Sequence, residues 1–232
     1  MASARLPGKP LADIHGRPMI VHVWQRAMQA GVGPVLVACG EAEIAEAVHR
    51  AGGHAVMTPP NLPSGSDRVH AALTNADPRG EHDVVVNLQG DVPTVSAEQI
   101  RAAIRPLQDS AIDIGTVVAP IASFTEANTA SFVKAACVFE DDADTAPAIY
   151  FSRSPVPWGE GPLWHHVGIY AYRRPALARF VALPPTRLER REQLEQLRAI
   201  EAGMRIGVAR VAHGLFGVDT PEDLERAREL LA

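Results

Sequence analysis

Apolar residues in the first half of the chain occur either in short continuous runs or at helical spacing. The runs "PVLVACG" (34–40), "HAVMT" (54–58) and "DVVVNLQGD" (83–91) predict strands buried on both faces of a sheet. Between them, the spacing of apolar positions predicts helices over 19–30, 41–52, 67–76 and 96–108. Strand–helix alternation of this kind predicts an α/β fold with a mainly parallel sheet and helices on both faces.

After residue 110 the pattern changes. Strand-like runs dominate, and no complete helix separates the second run from the third. This predicts an antiparallel or mixed extension of the sheet, within a single domain over 1–232. The predicted strands are 112–121, 133–139, 146–157, 165–174 and 204–211, and the predicted helices are 175–183, 186–203 and 220–231.

Composition narrows the class of protein. The chain is 47% hydrophobic and 21% charged, with a net charge of −5, which disfavours a nucleic-acid or anionic-membrane surface. Cys39 and Cys137 lie in apolar runs, which favours two reduced, buried thiols over a disulfide. No apolar run reaches the ~20 residues of a bilayer span, and no signal peptide is visible. We therefore expect no membrane insertion and a cytoplasmic location.

Two segments could bind phosphate or a metal ion. In "ARLPGKPL" (4–11), Gly8 permits close approach of a ligand to the backbone, and Arg5 and Lys9 can hold phosphate oxygens. A surface turn with two solvated cations is the alternative. In "VVVNLQGDVP" (84–93), Asp91 follows a buried strand, at the sheet edge where α/β proteins bind ligands. A carboxylate there suits Mg²⁺, although Asp91 could instead cap a turn.

Two further segments begin helices. "LPSGSDRV" (62–69) offers backbone amides and hydroxyls to a base or ribose, or forms a plain capping turn. In "FGVDTPEDLERA" (216–227), Thr220 is the expected N-cap and Pro221 the first helical residue. Because capping already accounts for Thr220, Asp219 is a candidate for a second metal carboxylate.

The second half of the chain contributes four polar candidates. Arg153 can pair with a substrate carboxylate in a bidentate manner. His166 lies in a strand, and its position suits two roles equally well: a ligand-binding residue, or a partly buried histidine that is hydrogen-bonded within the protein. Tyr170 follows in the same strand, and Glu195 lies on an amphipathic helix whose charges usually face solvent.

Taken together and in order, seven segments resemble the 3-deoxy-manno-octulosonate cytidylyltransferases, also called CMP-Kdo synthetases, over nearly the whole chain. They are "SARLPGKPL", "LPSGSDRV", "NLQGDVP", "IYFSRSPVPW", "HHVGIYAYRR", "LEQLR" and "GVDTPEDLERA". The resemblance implies a nucleotide-diphospho-sugar transferase fold, a three-layer α/β/α sandwich. It also implies cytoplasmic homodimers that contact through the later, smaller sheet.

The reaction that the resemblance implies is CTP + Kdo → CMP-Kdo + pyrophosphate, which activates a sugar for lipopolysaccharide assembly. Because the anomeric hydroxyl of the sugar attacks the α-phosphorus, no nucleophilic side chain is required. We therefore expect catalysis by positioning and by charge neutralisation, with Mg²⁺ as cofactor.

The same resemblance assigns the site residues. The catalytic residues are Arg5, Lys9, Asp91 and Asp219, of which Asp91 and Asp219 hold the metal. The nucleotide-binding residues are Ser64, Gly65, Arg68 and Gln89, the last at the junction of nucleotide and sugar. The sugar-binding residues are Arg153, His166, Tyr170 and Glu195. Residues 1–110 would mainly bind nucleotide, and residues 111–232 would mainly bind sugar and form the dimer.

The sequence departs from the family pattern at three places. "MAS" falls at the end of the family's "IPARxxS" motif, so we expect a mis-set start or a truncation that removes the first strand and a phosphate-binding Arg. Val92 replaces a carboxylate near the sugar site, which is expected to change sugar contacts. Phe216 occupies a position that is commonly small or polar.

Two other functions stay open at this point. One is the same chemistry on an 8-amino analogue of Kdo or on sialic acid. The other is a non-catalytic nucleotide- or sugar-binding remnant that lacks the first strand.

Overall fold

A computed structural model describes residues 6–232, which form two compact units. Unit 1 contains the described residues through Glu81 together with Leu88–Ile100 and Leu215–Ala232. Unit 2 contains His82–Asn87 and Arg101–Gly214. The C-terminal segment therefore returns to unit 1 instead of staying with the residues that follow position 110. Arg5 lies outside the described residues.

The predicted strands and helices occur in the predicted order, and the structure adds short elements within 13–18 and 124–128. The described strands are β1 (Asp13–Ile14), β2 (Arg17–Pro18), β3 (Leu36–Cys39), β4 (His54–Met57), β5 (Val84–Asn87), β6 (Ile114–Pro120), β7 (Lys134–Cys137), β8 (Thr145–Ser152), β9 (Trp164–Arg173) and β10 (Ile206–Arg210). The described helices are α1 (Met19–Ala30), α2 (Ala42–Arg50), α3 (Gly65–Ala76), α4 (Ala97–Ile104), α5 (Phe124–Asn128), α6 (Arg174–Ala182), α7 (Arg187–Glu192), α8 (Leu197–Glu201) and α9 (Pro221–Leu230).

Unit 1 is built on a parallel pair of strands. β3 and β4 pair in register from Leu36 opposite His54 to Cys39 opposite Met57, with α2 as the crossover between them. Buried residues of α1, α2 and β3 form one apolar cluster that includes Val21, Val37 and Val48. A second cluster joins the start and the end of the chain: Ile14, Met19, Val218, Leu224 and Ala227.

Unit 2 is built on a six-stranded mixed sheet with the order β5-β9-β6-β10-β8-β7. β6 and β10 are parallel, and the other pairs are antiparallel. This confirms a mixed sheet after residue 110. The prediction that β5 belongs to the mainly parallel part is wrong, because β5 lies in this sheet and pairs antiparallel with β9. Gly115 and Gly207 lie opposite each other on β6 and β10, and an added Cβ at Gly115 would lie 2.2 Å from the carbonyl oxygen of Ala103. Glycine is therefore required where the last turn of α4 packs against β6.

Two helix predictions need correction. The predicted helix 186–203 is two helices, because Gln193 adopts a left-handed conformation with φ 56° and ends α7. The predicted helix 96–108 is α-helical only to Ile104 and continues as a 3-10 turn that contains Pro106, a residue without a backbone N–H. Cys39 and Cys137 are free and buried, as predicted.

Among residues 6–232, no helix combines the length and the hydrophobicity that crossing a bilayer requires.

Candidate active site

Three charged side chains of unit 1, from three distant parts of the sequence, meet at one point. The Nζ atom of Lys9 lies 2.7 Å from Oδ2 of Asp91 and 3.0 Å from Oδ1 of Asp219. Lys9 is the most buried of the three, with 16% of its side chain exposed, against 32% for Asp91 and 53% for Asp219. The ammonium group is therefore sheltered while both carboxylates stay open to a ligand.

Local structure explains how Lys9 reaches this point. Gly8 has φ 68° and starts a 3-10 turn of Lys9–Leu11, in which the amide of Leu11 donates to the carbonyl of Gly8 at 2.8 Å. An L-residue with a side chain rarely adopts this φ value, which gives the glycine of the "PGK" motif a backbone role.

Capping leaves Asp219 available for chemistry. The carboxylate of Asp223 accepts from the amides of Asp219 and Thr220, and the Thr220 hydroxyl accepts from the amide of Asp223. This reciprocal capping box confirms Thr220 as the N-cap of α9. The Asp219 side chain therefore points to Lys9 without being needed to start the helix.

Electrostatics couple the three groups. Burial acts to lower the pKa of Lys9, but hydrogen bonds and charge attraction from Asp91 and Asp219 raise it overall above its usual value. Lys9 thus stays cationic at neutral pH. The two carboxylates and the ammonium group thus form one charged cluster.

The residues present fit a magnesium ion. Mg²⁺ prefers oxygen ligands and is usually held by one or two carboxylates, with water and phosphate completing its shell. Asp91 and Asp219 supply two such carboxylates, and both contact the ammonium group of Lys9. Within residues 6–232 no group of three or more His, Cys, Asp or Glu side chains forms a candidate metal cage, so phosphate and water would have to complete the shell.

Three of the predicted nucleotide-binding residues lie together in unit 1. Ser64 caps α3: its hydroxyl accepts from the amide of Asp67 at 3.2 Å and donates to that residue's carboxylate at 2.6 Å. A Cβ added at Gly65 would lie 3.4 Å from the side-chain amide of Gln89, so the start of α3 and the exposed Gln89 are neighbours. The structure thus brings Ser64, Gly65 and Gln89 to one place.

Arg68 is the fourth predicted nucleotide residue, and its guanidinium holds the loop after β4. It donates to the Thr58 hydroxyl at 2.6 Å and to the carbonyls of Pro59 and Pro60 at 3.3 and 3.1 Å. A Cβ at Gly40, at the end of the predicted strand "PVLVACG", would lie 3.1 Å from the same guanidinium. The contacts of Arg68 therefore hold the loop after β4 in place.

The four predicted sugar-binding residues all lie in unit 2. The guanidinium of Arg153 donates to the carbonyls of Glu192, Ala130 and Gln193 at 2.7, 3.0 and 3.3 Å. These contacts give Arg153 a structural role at the end of β8, and its predicted role as the partner of a sugar carboxylate stays a prediction.

His166 is buried and lies within hydrogen-bonding distance of the Thr116 hydroxyl, at 3.0 Å. Burial lowers the pKa of His166 to about 3, so the ring is neutral. Of the two alternatives at this position, the structure supports a hydrogen-bonded core histidine. The rings of Tyr170 and His166 are tilted relative to each other, with their centroids 5.4 Å apart. Burial raises the pKa of the Tyr170 phenol, and the charges of Tyr172 and then Glu195 add to this shift. Tyr170 and Glu195 are therefore neighbours in unit 2.

Sequence reasoning missed two charged residues of unit 2. Glu192 accepts from the Ser152 hydroxyl at 3.0 Å and from the amide of Arg153 at 2.9 Å. Lys134 lies in β7 and is fully buried. The available signal was a single lysine in the otherwise apolar run "VKAACVF".

Two of the departures from the family pattern have a structural explanation. Val92 is buried, which suits an apolar residue and would not suit an unpaired carboxylate. Phe216 packs against the cluster of Ile14 and Val218, and the guanidinium of Arg226 lies 5.0 Å from its ring centroid. The aromatic ring therefore supports the segment that carries Asp219.

Comparison with known proteins defines the class. A model of the cytidylyltransferase family matches residues 1–206. A nucleotidyl transferase from Methanothermobacter thermautotroptrophicus shares the fold at a TM-score of 0.58 and 17% identity, covering 96% of this chain and 85% of that chain. The class is thus that of the nucleotidyltransferases.

Curated relatives and a solved structure narrow this to one family. The 3-deoxy-manno-octulosonate cytidylyltransferases of Parvibaculum lavamentivorans and Rhodospirillum centenum are 59% and 58% identical, over 100% of this chain and 90% of each relative. A solved CMP:2-keto-3-deoxy-manno-octonic acid synthetase complexed with CTP matches with a TM-score of 0.88 and 41% identity, over 99% of this chain and 93% of that chain. The chain belongs to the 3-deoxy-manno-octulosonate cytidylyltransferase family.

Proposed function

We propose that this protein is an enzyme that transfers the cytidylyl group of CTP to 3-deoxy-manno-octulosonate (Kdo), giving CMP-Kdo and pyrophosphate. The observation that carries the proposal is the convergence of Lys9, Asp91 and Asp219 in a chain of this family. Relatives that are named for Kdo and are 58–59% identical over the whole chain favour Kdo over its 8-amino analogue, and they favour a catalyst over a non-catalytic remnant.

In the proposed reaction, the anomeric oxygen of Kdo forms a bond to the α-phosphorus of CTP. The bond from that phosphorus to the oxygen bridging to the β-phosphate breaks, pyrophosphate leaves with the electron pair, and the anomeric hydroxyl loses its proton. No residue forms a covalent intermediate. The protein orients the two anionic substrates, CTP and Kdo, and offsets the repulsion between them.

Lys9 suits the triphosphate because its ammonium is sheltered and stays charged. When CTP binds, phosphate oxygens can replace one of its carboxylate partners, and the fixed cation then stabilises charge as pyrophosphate departs. Ser64, Gly65 and Gln89 offer polar groups to the nucleotide, and Arg68 keeps the loop after β4 in shape.

We propose Mg²⁺ as the cofactor, held by Asp91 and Asp219. When bound, the ion would neutralise phosphate charge and lower the pKa of a nearby hydroxyl. The support is that two carboxylates, the ligands that Mg²⁺ prefers, both contact the ammonium group of Lys9 and stay partly exposed.

We also propose that the protein is a homodimer in the cytoplasm. Its product would be used in lipopolysaccharide assembly, which the Kdo substrate implies. Large apolar side chains of unit 2, Val138, Ile149 and Trp158, are exposed and would gain from being covered. Two free, buried thiols suit a reducing compartment. Light scattering should give twice the 24.9 kDa of one chain.

The function is tested by incubating the protein with CTP, Mg²⁺ and one sugar at a time, and by measuring pyrophosphate and the CMP-sugar. We expect turnover with Kdo and much weaker turnover with the 8-amino analogue or sialic acid. A preference for the amino analogue would reassign the substrate. CTP binding in calorimetry without turnover of any of the sugars would establish the non-catalytic alternative.

A further inference from the structure

The chain is unusual in how rarely it uses lysine. Of its 22 Lys and Arg residues, only Lys9 and Lys134 are lysines. Lys9 belongs to the candidate active site in unit 1. Lysine and arginine are not interchangeable, because a primary ammonium is a compact charge with three donors and guanidinium is a planar fork. A lysine kept at a buried site of an arginine-rich chain therefore indicates a need for the compact donor.

Lys134 occupies such a site. Its exposed fraction is 0%, and it begins β7, where it lies opposite Ser152 of β8 and His165 of β9. Its Nζ atom donates to the carbonyl oxygens of Phe132 and Arg153, both at 2.6 Å, and of Thr129 at 3.1 Å. Three acceptors match the three donors of a protonated amine. Burial, and next the charge of Arg153, lower the pKa of Lys134 from its usual value, and the charge of Glu192 acts against this shift.

Lys134 and Arg153 both bind carbonyl oxygens of one turn, formed by residues 129–132. The turn closes with the amide of Phe132 donating to the carbonyl of Thr129 at 3.1 Å. Lys134 binds the carbonyls of Thr129 and Phe132, and the guanidinium of Arg153 binds the carbonyl of Ala130. Lys134 also binds the carbonyl of Arg153 itself, so the two cations are linked through the backbone.

Glu192 completes this arrangement at the end of α7. Its carboxylate accepts from the amide of Arg153, and its carbonyl accepts from the Arg153 Nε atom at 2.7 Å. The backbone of Arg153 is therefore fixed on one side by Lys134 and on the other by Glu192. The loop that follows, which contains the exposed Trp158, starts from a rigid point.

We propose that Lys134 is a positioning residue for Kdo binding: its buried ammonium fixes the 129–132 turn and the backbone of Arg153. Removing it would free the end of β8 and the turn together, and Arg153, one of the predicted sugar residues, would lose this support. This inference rests on the proposed function, since it concerns the sugar substrate of that reaction.

The test compares Lys134→Met with the wild-type chain and with a matched control. Arg173→Met is suitable because Arg173 also donates to three carbonyls in unit 2, those of Ile112, Leu107 and Asp109, at a different turn. We expect K134M to raise the KM for Kdo by about tenfold or more, the scale of one lost charge-assisted hydrogen bond, with the KM for CTP unchanged within about twofold. R173M should lower the melting temperature without shifting the ratio of the two KM values.

A second readout does not depend on turnover. Hydrogen exchange followed by mass spectrometry should show faster exchange in 129–133 and 152–156 of K134M, and no change there in R173M. If K134M does not fold, Lys134→Gln, which retains two N–H donors, carries the same test with a smaller expected shift.

The outcomes separate the inference from the proposed function. A wild-type chain that turns over no Kdo rejects the proposed function and this inference with it. A wild-type chain that is active, with K134M or K134Q showing an unchanged KM for Kdo or the same loss for both substrates, rejects the inference alone. A selective rise in the KM for Kdo with local loss of protection supports it.

Discussion

The backbone amide of Val218 donates to the carbonyl oxygen of Asp91 at 2.9 Å. This one hydrogen bond joins the loop that follows β5 to the loop that precedes α9. Each loop carries one carboxylate of the cluster, and Val218 itself is fully buried. Asp219 follows directly, so its place beside Asp91 is fixed by backbone and packing and does not depend on a bound ligand.

From this arrangement we expect Asp91→Asn and Asp219→Asn to remove nearly all turnover while the fold is retained. Each change removes a proposed metal ligand without altering side-chain size, and the loss in kcat should exceed about 10²-fold, the scale of one transition-state electrostatic contact. Pyrophosphate release measured against Mg²⁺ concentration should show that the residual rate no longer saturates with the metal.

Glu222→Gln is the matched control for these variants, because Glu222 is exposed in the first turn of α9, close to Asp219 in sequence. It should keep wild-type kinetics. Wild-type rates in D91N or D219N would remove the metal assignment, and unfolding of either variant in circular dichroism would show that the carboxylate is structural.

Lys9 is expected to act through its charge. Lys9→Met should lower kcat by about 10²-fold, because pyrophosphate would leave without its fixed cation, and Lys9→Arg should restore part of the rate. Since the pKa of Lys9 is raised above 10.5, the wild-type pH–rate profile should show no loss of activity from this group below that pH. Equal rates in K9M and K9R would show that charge at this position is not used.

Short-range patterns predicted the fold well. Continuous apolar runs located β3, β4 and β5, and the cap residue Thr220 correctly marked the start of α9. The break at Gln193 was missed, because a left-handed residue that is not glycine leaves no compositional signal.

The candidate site required more than spacing. No periodicity relates Lys9 to Asp91 or Asp219, and the motif resemblance alone suggested that they meet. For Arg153 and His166 the same resemblance predicted sugar contacts. In the structure, Arg153 donates to backbone carbonyls and His166 contacts the Thr116 hydroxyl, and no sequence pattern reveals these partners. Buried polar networks depend on which distant strands become neighbours, so the contacts of Lys134 and Glu192 are seen only in the folded structure.

A pair of glycine substitutions tests the sheet of unit 2. Gly115→Ala would place its Cβ 2.2 Å from the carbonyl oxygen of Ala103, so backbone must move. We expect a loss of about 2–4 kcal/mol in the free energy of unfolding, typical of overpacking a rigid core. Gly168→Ala on β9 meets nothing within 4 Å and should be neutral or slightly stabilising. Denaturant unfolding of both variants is the measurement, and equal stabilities would contradict the packing of 103–106 against β6.

The stability of the protein at acidic pH should depend on His166. Its pKa is about 3 in the fold, because of burial and then the neighbouring His165, and 6.5 when unfolded. Between these values the unfolded chain binds a proton that the folded chain does not, so lowering the pH favours unfolding. The contribution of His166 to the free energy of unfolding therefore decreases by up to about 1.4 kcal/mol per pH unit as the pH falls below 6.5. Urea unfolding of wild type and His166→Gln at several pH values measures the slope, which should be smaller in the variant. An identical slope in both proteins would mean that His166 accepts a proton in the fold, and that the neutral contact with Thr116 is wrong.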